Sequence, residues 1–308
     1  MRSRNKGVTT RCKVGRPGIS QLPLPSPSFD LTATLGFETA QSVTDEDRYR
    51  AATFRKRAES AGPLRARRLR TLADAIDPEV EQAPQTPASS RYMRDARNRV
   101  IGAIWDLIET GGTPACLAAP DEYAVFTAIP EDCSVPLGTL HHVDPTRLMA
   151  AFRQHIIRSA QRLGVPVEGQ LFAALHGAYD PATSSYPLHV HGIATGGMVK
   201  IVDGLRDLRK YRPVQPNDGR DAAHTPVRLG RGPLTNMPEP LTYVMKRFWP
   251  LRETYLDSDG LRKAYNSKVA RIRGEAEIEH LRFLDKWRIE DVTLMMGMHA
   301  TKAGLKLK

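Results

Sequence analysis

The chain has 308 residues, 41% hydrophobic and 26% charged, the balance of a globular protein rather than a fibrous or low-complexity one. A formal net charge of +11 suits a polyanionic partner, or a basic tail on a neutral fold. Cys12, Cys116 and Cys133 offer neither a disulfide framework nor metal-ligand spacing, and no run of about 18 apolar residues occurs. The expectation is a cytoplasmic protein with no membrane partner.

Residues 1–44 are basic, then proline-rich, and are expected to form an arm without a packed core. Such an arm either grips phosphates or is simply solvated. Residues 45–88 read as a basic helical region and linker. Two short helices are predicted within 44–77, opening on Thr44-Asp45-Glu46-Asp47, a capping-type start with acids in the first turn. The clusters Arg55-Lys56-Arg57 and Arg65 to Arg70 suit a nucleic-acid backbone or a solvated face. Residues 78–87 form the linker.

The main domain is expected over 89–254. Ser89 or Ser90 caps a helix whose stripe is Met93, Ala96, Val100, Ile104 and Leu107, stopped by Gly111-Gly112. Residues 123–129 read as a strand ended by Pro130. Residues 145–163 form the clearest amphipathic helix, with Leu148, Phe152, Ile156, Ser159 and Leu163 on its stripe and Gly164 at its end. Residues 171–179 and the run around His189 read as strands joined by the polar turn 180–185. A helix from Met198 to Leu208 and a strand over 227–229 follow. This order of strands, helix crossovers and one tight hairpin implies an α+β fold with a largely antiparallel sheet layered with helices.

Two elements carry chemistry. His189-Val190-His191 places two imidazoles on one face of a strand, where they can share a metal ion. Hairpin pairing would set His176 opposite His189 as a third imidazole; a slip of one residue would put Leu175 there, with Asp180 as the fallback ligand. The second element is a short helix predicted over 238–250 between prolines, with Leu241, Val244, Met245 and Phe248 as its core stripe. Tyr243 and Lys246 fall together on its other side, as a nucleophile with a cationic partner or as an amphipathic tyrosine at a helix edge. A phenol ionises near pH ~10, so attack on phosphorus needs help from the ammonium or a metal.

With these residues in order, the chain resembles the HUH endonucleases, in particular rolling-circle replication initiator proteins of the single-tyrosine type. Phe126-Thr127-Ala128-Ile129-Pro130 is similar to their first motif, although Ile129 stands where a polar residue is usual. His189-Val190-His191-Gly192-Ile193 is similar to the second and Tyr243-Val244-Met245-Lys246 to the third. The resemblance covers about 123–250. It implies that His189 and His191 hold a divalent metal, magnesium or manganese, with His176 as a third ligand. It implies that Tyr243 attacks single-stranded or hairpin origin DNA and retains the 5′ phosphate, assisted by Lys246, with host replication proteins as possible partners. No second tyrosine follows at the spacing of two-tyrosine initiators. Residues 255–308 are expected to be a helical tail, with helices over 269–287 and from Trp287 onward.

Overall fold

A computed structural model describes residues 18–25, 31, 37–80, 86–110, 123–131, 133–212, 226–231, 239–246, 248–256, 258, 262–264 and 270–308. Most of the expected arm, the middle of the linker and the Gly111-Gly112 stop lie outside these residues.

Three N-terminal helices pack together: α1 (Ala40–Glu59), α2 (Pro63–Ile76) and α3 (Ser90–Thr110). The first begins earlier than the sequence suggests. Thr39 is its cap, its Oγ1 accepting the Ser42 amide at 3.1 Å, so 44–47 is helix interior. That shift turns Glu46, Asp47 and Arg50 inward, where they are buried. Asp47 accepts from the Ser89 hydroxyl at 2.6 Å and the Ser90 amide at 2.7 Å, tying α1 to the start of α3. Ser89 itself accepts from the Tyr92 amide at 3.2 Å, the cap expected there. Part of the described arm is packed: Ile19, Leu22, Leu31 and Phe37 are buried in the common core, while Leu24 is exposed. Apolar residues between prolines found a surface to cover, which composition alone does not reveal.

The central sheet is antiparallel. Its labelled strands are β1 (Tyr123–Ala128), β3 (Leu171–His176), β5 (His189–Thr195), β6 (Val227–Arg231) and β7 (Thr293–Met296), in spatial order β7-β3-β5-β1-β6. The short strands β2 (Ser134–Pro136) and β4 (Ser185–Pro187) pair outside it. The fold is α+β, as the order of elements implies. Helix α4 (Pro145–Leu163) lies on one face, with Phe152 stacked on Phe126 of β1 at 6.2 Å. Asp144 caps its start through the Arg147 amide at 3.1 Å, and Gly164 ends it with φ of 64°. Gly192 of β5 sits under the same Phe126. A Cβ there would meet Phe126 Cζ at 2.3 Å, so only glycine lets the ring close over the strand.

Helix α5 (Gly197–Asp203) follows β5, and α6 (Glu239–Val244) crosses the opposite face. The C-terminal segment is helical as α7 (Gly274–Asp285) and a turn at Ile289–Val292. Beyond that it is extended. β7 joins the sheet beside β3, and β8 (Met298–Thr301) pairs with β9 (Gly304–Leu307). The Thr293–Met296 run is too short to show a period, so its role as an edge strand is set by the unpaired side of β3. No helix among the described residues is long and apolar enough to cross a membrane.

Candidate metal and nucleophile site

The β3–β5 register sets His176 directly opposite His189. Leu175 pairs with Val190 on the other face, so the alternative slip does not occur. Strand alternation adds His191 to the same face, and three imidazoles cluster. Ring centroids are 4.7 Å apart for His189 and His191, 4.9 Å for His176 and His191, and 6.1 Å for His176 and His189.

Hydrogen bonds assign the protons. His189 Nδ1 lies 3.2 Å from the Pro187 carbonyl, which can only accept, so Nδ1 carries hydrogen and Nε2 a lone pair. That lone pair faces His191 Nε2 at 3.0 Å, and His191 Nδ1 lies 2.9 Å from Thr127 Oγ1. The set is satisfied when Thr127 donates to His191 and His191 donates to His189. Rotating the Thr127 hydroxyl to accept instead moves the His191 proton to Nδ1 and leaves both Nε2 lone pairs open. A hydroxyl can serve either tautomer.

This donor set fits a divalent ion. Adjacent ligands on an octahedral ion with bonds of about 2.1 Å stand about 3.0 Å apart, and the two Nε2 atoms are 3.0 Å apart. The third ring is held differently. His176 Nε2 donates to the Val244 carbonyl at 3.0 Å, with the Lys246 amide more distant at 3.4 Å. Its Nδ1 therefore holds a lone pair, buried and without a hydrogen-bond partner. Among the described residues no group of three or more His, Cys, Asp or Glu side chains is already gathered in ligand geometry. The arrangement is a pair of donors with a third beside it. With imidazoles alone, transition ions such as manganese suit it better than magnesium.

All three rings are held neutral, the form that binds metal. Burial is the main cause, lowering His189 to about 4 and His191 to about 2 and pushing His176 well below the ordinary histidine range. The Lys246 ammonium acts in the same direction on all three. Lys246 is itself lowered, by burial first and Arg252 second.

Helix α6 stops at Val244, shorter than the predicted helix over 238–250. Leu241, Val244 and Met245 are buried as expected. Lys246, however, follows the helix and shares no helix face with Tyr243; it stands half-buried beside the histidines. The chain turns there because two groups capture the helix's last carbonyls. His176 takes Val244, and Arg97 of α3 donates to Thr242 at 3.3 Å while paired with Glu38 at 2.5 Å. Tyr243 is left 57% exposed. It lines a cleft of about 240 Å³ with His191, Thr127 and Arg228.

Arg228 is the residue that sequence reasoning passed over. It lies opposite Thr127, which lies opposite His191, so the three form one row across β6, β1 and β5. Only the register reveals that row. Asp180, the fallback ligand, is occupied in its own turn, accepting the Ala182 amide at 3.0 Å. Comparison with protein-family models, curated proteins and solved structures found no match.

Proposed function

We propose that the protein is a metal-dependent DNA nicking and strand-transfer enzyme working through a covalent 5′-phosphotyrosine, as a plasmid, phage or mobile-element replication initiator does. The observation that carries this reading is the shared cleft: an exposed tyrosine, the neutral His191 ring and an arginine meet in one open space, with His189 directly behind His191. A phosphodiester suits all three polar groups.

Tyr243 supplies the nucleophile. Its oxygen bonds to phosphorus and gives up its proton, the P–O3′ bond breaks, and the departing strand takes a proton to end in a 3′-hydroxyl. One phosphate ester replaces another, so the strand can be rejoined without outside energy. Arg228, on the neighbouring strand, presents a fixed positive charge to the phosphate. A divalent ion on His189 and His191, with His176 Nδ1 as third donor, would polarise a phosphate oxygen. Lys246 adds positive charge beside the rings, and Thr127 sets the His191 tautomer.

The test is incubation with single-stranded and hairpin oligonucleotides and manganese, followed by denaturing electrophoresis. The parent should form a covalent protein–DNA adduct and Tyr243→Phe none. A second reading, a DNA-binding protein that has the fold without the chemistry, is favoured by the His176–Val244 bond, which employs one ring in structure. Absence of adduct across several metals, with DNA binding intact, would select it.

A further inference from the structure

A second cleft, of about 710 Å³, opens between the start of α2 and the outer face of α7. Its walls are apolar where Leu69, Ile278 and Phe283 line it, and Leu64 at its mouth is 64% exposed. Its rim is basic. The two carboxylates there are already committed: Glu275 accepts from Arg65 at 2.5 Å, and Glu279 accepts the Gly138 and Leu140 amides at 2.7 and 2.8 Å. Arg68, Arg282 and Lys286 are exposed on the same rim and, among the described residues, have no carboxylate partner. Three cations without a carboxylate partner, on a rim where cations outnumber carboxylates, surround an apolar hollow and are complementary to a ligand with regularly spaced anions and flat apolar faces.

We infer that this cleft binds a segment of single-stranded nucleic acid, with phosphates on Arg68, Arg282 and Lys286 and a base against Leu64 and the cleft wall. The inference rests on the DNA-directed reading of the protein, but the site is separate from the Tyr243 cleft. None of the residues lining one lines the other. Phe283 and Trp249, with ring centroids 5.7 Å apart, lie between it and the histidine side of the fold. A strand held here would be gripped away from the scissile phosphate, which lets the cut end be retained while Tyr243 is occupied.

The experiment is fluorescence anisotropy of a short single-stranded oligonucleotide on the full chain, without metal, over a series of salt concentrations. The variants are Arg68→Glu with Arg282→Glu, and Arg68→Lys with Arg282→Lys. Each lost phosphate contact should lower the log–log salt slope by about 0.7, so the charge-reversed protein should lose about 1.4 and bind about tenfold or more weakly. The lysine protein should keep the parent slope, because a point charge serves a phosphate. Both arginines are exposed, and circular dichroism checks that the fold persists. An unchanged slope in the glutamate protein would overturn the inference, as would a parent that binds no oligonucleotide. Displacement of the oligonucleotide by polyglutamate at equal charge would overturn the assignment to nucleic acid. A parent that shows the slope difference yet never forms the Tyr243 adduct would sustain this cleft and defeat the catalytic reading.

Discussion

His176 Nε2 lies 3.0 Å from the backbone oxygen of Val244, the residue after Tyr243. A strand histidine thereby holds the end of the helix that presents the tyrosine, and one side chain links the ring cluster to Tyr243. Because Nε2 carries the proton, the ring can offer only Nδ1 elsewhere.

His176→Phe keeps the ring and its packing but removes the donor. The Val244 carbonyl is then left without this partner, at a cost of about 1–3 kcal/mol for a buried acceptor. Urea unfolding should report that loss. Amide exchange over 239–246 should quicken more than exchange in β3 or β5. Equal exchange in α6 for both proteins would mean that the bond does not hold the helix.

Thr127 is expected to act through His191 alone. Thr127→Val keeps the shape and removes the group that accepts the Nδ1 proton in the metal-binding tautomer. Loss of such a supporting partner should weaken metal affinity by about 10–100-fold. Thr127→Ser, which keeps the hydroxyl, should restore most of it. Isothermal titration with manganese decides between them, and equal affinity in the valine protein would remove Thr127 from the site.

The parts of this arrangement that could be read from the sequence are those with a period. His189 and His191 share a face because strands alternate, whereas the choice between His176 and Leu175 opposite His189 depends on strand pairing, which the sequence leaves open. Helix α4 carries its cap, its stripe and its terminal glycine in one stretch, and its bounds were legible to the residue. What was hidden depends on other elements. Arg228 reaches the cleft only because β6 is the edge strand beside β1. The end of α6 is decided by His176 and Arg97, far away in sequence. Ile19 and Leu22 are buried because the remainder of the fold offers them a surface, and β7 is a strand because β3 has a free edge.

The buried His280 predicts a pH dependence. Its ring is 2% exposed, stacks on Trp249 at 4.5 Å and has no partner for Nε2. Burial first and Arg50 second lower it to about 3. The folded pKa is below the unfolded value of about 6.5, so between the two the unfolded chain holds the extra proton. Stability from this group is present above the unfolded pKa and falls as the solution is acidified through that window, by about 1.4 kcal/mol per pH unit. His280→Phe keeps the stack and should flatten the acid limb by about one proton. The three site histidines have the same sign, so a slope should remain. Identical limbs in parent and variant would show that His280 is not held neutral.

The last prediction divides the labour within the Tyr243 cleft. Tyr243 is mostly exposed and its helix is anchored by Leu241, Val244 and the two carbonyl bonds, so Tyr243→Phe should unfold within about 0.5 kcal/mol of the parent. Metal and oligonucleotide affinity should also be retained, while the covalent adduct disappears. Tyr49→Phe, also exposed and on α1, is the control and should cleave normally. Arg228→Ala removes one phosphate contact, so binding should weaken across all sequences and the salt slope should fall by about 0.7. Lys246→Ala should behave differently again. Its charge lies beside the histidines rather than at the cleft mouth, so oligonucleotide affinity should hold while the cleavage rate drops. The His189 and His191 rings should also become easier to protonate, because the ammonium that disfavours their charged form is gone. Metal binding by the Lys246→Ala protein should therefore fail at a higher pH than in the parent, as acid is added. Adduct formation by Tyr243→Phe, in the presence of a normal control, would take the nucleophile away from this residue and leave the cleft as a binding site only.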